Sequence, residues 1–343
     1  MKKNYFFLAA AATLFAACAE TDVLVDLSEK ENAPKAIGFE SFANKTTRAE
    51  ITNQTTRAEI TNLADLQEEG FQVWGYKTPN AGGSQYPVFE NVYVYYHSSK
   101  WDYDDKQYWD KMSTYNFYAV APGGNAVKDN YTIDPATGKI TISNVESAKS
   151  DDSMDYLIDR NGNTSVNGST PPTKVEFDFN HIMSKVSFKL ESSINENITV
   201  TSLTMTGWNS GKGKFVQTLT TTPNTTNNAS EWSIPTAGTG NISLVESSTP
   251  VSLTSSSTSA ELSSYIMVPQ IIAADALTFT INYKIGEEEF IGHVGKLDEA
   301  QTWGTDTHTI YTISVGPEAI EFTVSSVNDW TNSPTEQPGV SID

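Results

Sequence analysis

The stretch ALTFTINYKIGEEEFIGHV, residues 276–294, alternates apolar and polar side chains for most of its length. Phe279, Ile281, Tyr283 and Ile285 fall on one side of an extended chain, and Gly286 marks a turn in the middle. A period of two belongs to a strand with one buried face, so this stretch predicts a long hairpin. The same period recurs along the whole chain, while helical periodicity is nearly absent, and this sets the fold class. FQVWGYK (71–77), NVYVYYH (91–97) and TYNFYAVAP (114–122) are rich in the aromatic and β-branched residues that strands favour. YTIDPATGKITIS (131–143) predicts a second hairpin, turned by Asp134 and Pro135 and closed by Gly138. VEFDF (175–179) and KVSFKL (185–190) alternate cleanly, and TIYTISV (309–315) and EFTVSSVNDW (321–330) close the chain. In the last of these Val327 is out of phase with Phe322 and Val324, which predicts a bulge or break near Ser325 and Ser326. One short helix is expected in NLADLQEEG (62–70), capped by Asn62 and ended by Gly70. Short strands at this spacing imply an all-β chain of two sandwiches.

A length of 343 residues leaves room for two domains. RNGNTSVNGSTPPT (160–173), polar and ending in two prolines, is the best boundary between them. The formal net charge is −20, and residues 1–57 hold seven basic and seven acidic side chains, so the remainder is also −20. Such a surface repels nucleic acid and anionic lipid, which excludes nucleic-acid binding.

The first residues read as an export signal. Lys2 and Lys3 precede a short apolar run, Phe6 to Ala12, and LFAAC ends at Cys18, the only cysteine. The run is too short to span a membrane. Small residues before a lone cysteine resemble the lipobox of bacterial lipoproteins, in which Cys18 would be lipidated. Each buried acyl CH₂ is worth about 0.8 kcal/mol, so several chains would hold a precursor firmly on a membrane. No disulfide is possible with one cysteine.

KTTRAEITNQTTRAEITN (45–62) contains the octet TTRAEITN twice, nine residues apart. Nine is odd, so in one continuous strand the two copies would face opposite sides of the sheet. At most one can be core structure. A small, polar, extended segment centred on arginine suits a trypsin-like protease, at Arg48 or Arg57. A neutral duplication in a linker is the plainer alternative, and the two are compatible.

Catalytic signals are sparse. His97, His181, His293 and His308 have no second His or Cys at metal-ligand spacing, and no HExxH, GxSxG or phosphate-binding glycine loop occurs. No cofactor, metal or enzymatic activity is expected. The densest polar-aromatic cluster is KWDYDDKQYWD (100–110). Trp101, Tyr103, Tyr108 and Trp109 can stack on a sugar, and Asp102, Asp104 and Asp105 can face calcium, although the glycine and distal glutamate of an EF-type loop are missing. The third reading is an exposed β-turn whose aromatics anchor both arms.

The lipobox, the arginine-centred octets, Trp74 in the first strand and YNFYAVAP six residues after Trp109 together resemble the fimbrillins of Bacteroides-type bacteria. DYLID (155–159), FNHIMSKVSFKL (179–190), MVPQ (267–270) and VNDW (327–330) extend the resemblance over essentially the whole chain. These are the type V pilins, including the FimA-like and Mfa-like fimbrial subunits. The resemblance implies two tandem transthyretin-like Greek-key β-sandwich domains, at 58–172 and 173–343, after a signal peptide (1–17) and a propeptide (18–57). It implies transport to the outer membrane as a lipoprotein and removal of the propeptide by an Arg-specific maturation protease. A strand from a neighbouring fimbrial subunit would then fill the opened groove, in fimbriae that support adhesion and biofilm formation. On this reading AIGFESF (36–42) is the strand removed, and AIEFTVSSV (319–327) the best donor. The tail TNSPTEQPGVSID, with two prolines, is a poor donor, which leaves shaft and tip positions both open. The alternative is a non-polymerising surface lipoprotein that binds glycan through the 93–109 aromatics.

Overall fold

The computed structural model describes residues 35–43, 59–149, 154–159, 164–218, 230–317 and 320–327. Within these the chain is mostly β, in several sheets, with one short α-helix. The largest sheet has eight strands. Seven run in the order β1 (Phe39–Ala43), β11 (Val175–His181), β9 (Leu157–Asp159), β5 (Ser113–Ala121), β2 (Phe71–Pro79), β3 (Tyr86–His97) and β4 (Lys100–Asp102), and β10 (Thr164–Asn167) pairs with β5. The second sheet has six strands. It runs β25 (Ile320–Val327), β24 (Thr307–Val315), β12 (Ser184–Ser192), β19 (Tyr265–Met267) and β8 (Ala148–Lys149), with β18 (Ser259–Glu261) on β12. The third runs β16 (Thr239–Val245), β13 (Ile198–Asn209), β21 (Thr278–Ile285) and β22 (Glu288–Lys296), with β17 (Val251–Leu253) on β13. In the fourth, β15 (Ser230–Ser233) and β14 (Gly213–Thr218) continue into β7 (Lys139–Val145) and β6 (Tyr131–Asp134). A last pair joins β20 (Gln270–Ile272) to β23 (Gln301–Trp303).

Alternation explains where the cores sit. Val186, Phe188 and Leu190 of β12, and Tyr311, Ile313 and Val315 of β24, turn inward onto Phe279, Ile281 and Tyr283 of β21. Two sheets thereby bury one apolar face each. β2 and β5 differ, because they are covered on both faces. Phe71, Val73, Phe117 and Ala119 enter one core, while Trp74, Tyr76, Tyr118 and Val120 enter another against Ile140, Ile142 and Phe215. That double burial is why their sequences read as nearly continuous apolar runs.

The local signals behave as their chemistry dictates. Helix α1 (Leu63–Glu69) is capped by Asn62, whose side-chain oxygen accepts from the amides of Ala64 and Asp65 at 2.7 and 3.2 Å. Gly286, at φ 59°, turns the β21–β22 hairpin. One expectation fails. β25 pairs with β24 without a register shift, from Ile320 opposite Val315 to Val327 opposite His308, so no bulge interrupts Ser325 and Ser326. Backbone pairing along an edge strand carries the ladder past a change of side-chain phase.

Candidate functional site

β1 is the edge strand of the eight-stranded sheet and runs parallel to β11, with Phe39 opposite Val175 and Ala43 opposite Phe179. Backbone groups hold it on both sides. The Val175 amide donates to the Gly38 carbonyl at 2.7 Å, and on the far side the Ile37 amide donates to the Gln107 carbonyl at 2.9 Å. The Tyr103 hydroxyl donates to the Ile37 carbonyl at 2.8 Å and accepts from the Gln107 amide at 3.2 Å. Ala36 bridges antiparallel to Tyr108. β1 therefore fills a slot whose walls are β11 and the 103–108 segment.

The side chains complete the fit. Ile37 is 1% exposed, and Phe39 and Ser41 2% each. The Phe39 ring meets Phe89, Tyr103, Phe117 and Phe177 at centroid distances of 5.3 to 6.1 Å. Fully burying a side chain such as Ile or Phe is worth about 1.5–3 kcal/mol. The buried Ser41 hydroxyl has no hydrogen-bond partner among the described residues. On the outer face Glu40 pairs with the Lys174 ammonium at 3.1 Å.

The chain is fastened again just beyond the octets. Glu59 accepts from Lys185 at 2.7 Å, Ile60 is buried, and the Ile60 amide donates to Asp155 at 3.2 Å. The same Asp155 oxygen lies 2.8 Å from His181 Nδ1. Burial alone would lower the His181 pKa, but Asp155, with Asp306 and Glu59 beyond it, holds it above the ordinary value on balance. Segment 44–58, with Arg48 and Arg57, thus connects two separately anchored points. Cys18, Arg48 and Arg57 themselves lie outside the described residues.

The aromatic cluster divides. Tyr103 and Trp109 are buried, the latter edge-on to Tyr115 at 4.9 Å, and Trp101 is half-buried against Phe71 and Tyr96. Tyr108 is 53% exposed. Asp102 is bound by Lys106 and faces Lys100 at 3.3 Å, and the Lys106 hydrogen bond draws its pKa down to about 2. Lys106 also lies over the Tyr103 ring, 4.2 Å from its centroid. Asp104 accepts from the Tyr95 hydroxyl, and Asp105 has a left-handed backbone. Among the described residues no three His, Cys, Asp or Glu side chains converge as a metal site. Sequence reasoning flagged Tyr103 for sugar contact and passed over Gln107, Ser41 and Asp155. Only a pairing between distant segments gives these residues their roles, and no local pattern announces it.

The sequence profile of the family described as fimbrillin-like matches residues 47–330. Among solved structures, a fimbrial protein from Bacteroides vulgatus is similar at 18% identity, over 88% of this chain and 98% of that one, with a TM-score of 0.52. Two candidate cell-adhesion proteins align less closely, both with a TM-score of 0.45. The Bacteroides uniformis protein is 13% identical over 86% of this chain and 98% of its own. The Bacteroides ovatus protein is 15% identical over 88% and 99%. No curated protein matches the sequence. The profile spans most of the chain, and with the shared fold it places a structural protein, not an enzyme, on the cell surface: this chain belongs to the fimbrillin-like family.

Proposed function

We propose that the protein is a structural subunit of cell-surface fimbriae, matured by proteolysis and assembled by strand exchange. The precursor is lipidated at Cys18 and held on the outer membrane. An Arg-specific protease cuts at Arg57, or less often at Arg48, which frees the body of the protein from its acyl anchor. β1 then leaves its slot, and a strand from a neighbouring subunit replaces it. Two tandem transthyretin-like sandwiches, 58–172 and 173–343, carry the slot and the donor strand. The core around Phe188 lies within 173–343, while the core around Phe117 also takes Val175, Phe177 and Phe179 from just beyond residue 172. The observation that carries the reading is β1 itself. It is a short parallel edge strand, buried by side chains and held on both sides, yet joined to the rest only through the segment with both arginines. A slot that gives up its strand exposes unpaired backbone and apolar surface, which another chain can cover.

The partners are other fimbrial subunits and the maturation protease, and the assembled fibre serves adhesion and biofilm formation. The glycan-binding alternative has less support, since Tyr103 and Trp109 are committed to the core and Tyr108 alone is more than half exposed. The test replaces both arginines. Wild-type surface protein should begin at Ala58 or Ala49 without lipid, whereas Arg48→Ala/Arg57→Ala should accumulate as an anchored monomer. Normal fibres from the double variant would overturn the proposal.

A further inference from the structure

The chain holds 22 lysine and arginine residues, and only three of them are arginine: Arg48, Arg57 and Arg160. Two of the three stand in the doubled octet. From residue 58 onward fourteen lysines accompany the single Arg160. Duplication of an octet accounts for the second arginine, but not for the scarcity of arginine in the body. Either cation serves an exposed surface, yet a protease pocket tells them apart, because guanidinium is a planar fork and ammonium a compact point charge. To an enzyme that reads guanidinium, the body beyond the octets presents one candidate bond.

The fold withdraws that bond. Arg160 follows directly on β9, so the residues a protease must take up ahead of the cut are Leu157, Ile158 and Asp159. All three are buried. Leu157 and Ile158 pair with Ala121 and Val120 of β5, and on the other side all three pair with His181, Asn180 and Phe179 of β11. Both faces are engaged as well. Leu157 enters the core around Phe117, and Ile158 enters the core that holds Trp74 and Phe215. The Asp159 carboxylate accepts from the Asp178 amide at 2.9 Å. A protease takes its substrate as an extended strand, using backbone groups that β9 has already given to its neighbours. Cutting at Arg160 therefore requires β9 to leave the middle of the eight-stranded sheet, an opening that costs a large part of the global stability.

Resting on the maturation reading above for the class of protease, we infer that the folded body, residues 58–343, offers an arginine-specific protease no bond to cut. The subunit is cut in its octets and then left whole among the enzymes that mature it. An enzyme that also accepted lysine would meet Lys100 and Lys212, whose side chains are more than half exposed.

The test compares Arg160 in the folded protein with Arg160 in a peptide of residues 155–165, using an endoprotease that cuts only after arginine. Mass spectrometry should show the precursor cut after Arg48 or Arg57 and the 58–343 body persisting. Cleavage at Arg160 should be slower than in the peptide by about a thousandfold or more, the scale set by the folded-to-open ratio of a stable domain. Leu157→Ala should raise that rate by about tenfold or more, because it loosens β9. Cleavage of the folded wild-type protein at Arg160 within about tenfold of the peptide rate would overturn the inference. So would a peptide that resists equally, or a Leu157→Ala protein cut no faster than wild type. Each of these results leaves maturation at the octets standing. In cells, Arg48→Lys/Arg57→Lys keeps both charges and should stay uncut, and normal processing of it would overturn the exclusion of lysine. Normal fibres from the double alanine variant would instead overturn the maturation reading and leave the measured resistance of the body intact.

Discussion

Phe39→Ala, made in a precursor whose two arginines are also replaced, isolates the hold on β1 from the cut. Phe39 is buried against four rings, and truncating such a side chain costs about 3–5 kcal/mol. β1 is the terminal strand of its sheet, so the loss falls on its attachment to β11 more than on global unfolding. At 1.4 kcal/mol per factor of ten, the closed-to-open ratio of the slot should drop by about 140- to 3,700-fold. Native-state hydrogen exchange reads this directly at the Val175 amide, which donates to the Gly38 carbonyl. Val175 should exchange faster by that factor, while amides of β12 and β24 in the other core keep their rates. The uncut variant should also begin to polymerise slowly, because a slot open for part of the time admits a donor without proteolysis. Unchanged protection at Val175 would refute the claim that burial of the Phe39 ring helps hold β1 in its slot. Equal acceleration in β12 would refute the claim that the strand leaves independently.

Ser41→Val should work in the opposite direction, since it removes an unpartnered buried hydroxyl. The resident strand should tighten by about 1–3 kcal/mol, and assembly after the cut should slow, as light scattering would show. Tyr103→Phe keeps the ring beside Phe39 and deletes the bond to the Ile37 carbonyl and the acceptor for the Gln107 amide. It should loosen β1 by about 1–2 kcal/mol, read at the Ile37 amide by hydrogen exchange. His181 has a raised pKa, so its pairing with Asp155 contributes fully below the ordinary value of about 6.5 and fades as pH rises through the folded value. His181→Asn should flatten the thermal midpoint against pH across that window, and an unchanged slope would count against the pair.

Much of the architecture was legible because strand alternation is a local signal. β12, β21 and β24 could be read from Phe188, Ile281 and Ile313 without knowing their neighbours, and Asn62 announced its helix by side-chain chemistry alone. AIGFESF (36–42), singled out by the family resemblance, likewise covers most of β1. What stayed hidden was the slot. β11 lies far along the chain from β1, and the opposite wall is made by the backbone of Gln107 and the hydroxyl of Tyr103. Backbone donors and acceptors are the same in every residue, so pairing between distant segments leaves little trace in sequence. Tyr103 misled for a related reason. A tyrosine offers an apolar face and a polar tip, and suits a sugar platform and a core wall equally well. The break expected near Ser325, which the ladder does not show, came from reading side-chain phase where an edge ladder needed only backbone.

On the strand-exchange proposal β1 must first be held and later surrendered, which poses a problem of magnitude, because the proposed cut lies outside the contacts described above. What the cut changes is concentration. While 44–58 is intact, β1 is tethered to Glu59 and Ile60, and a connection of this length gives an effective concentration on the order of millimolar. Once released, β1 competes at its concentration in solution, which dilution takes toward zero. A fall from millimolar to micromolar alone is about 4 kcal/mol, comparable with the burial of Phe39. Length matters far less, since doubling a flexible loop costs only about 0.6 kcal/mol. The second octet could therefore be added to the connection with little effect on closure, while offering a second arginine. Inserting a third copy of TTRAEITN should leave the uncut protein monomeric and its Val175 amide protected to within about threefold. One nick at any arginine should still start assembly. An insertion that opened the slot as fully as a nick would show that the segment itself grips β1, and that tethering is not what the protease removes.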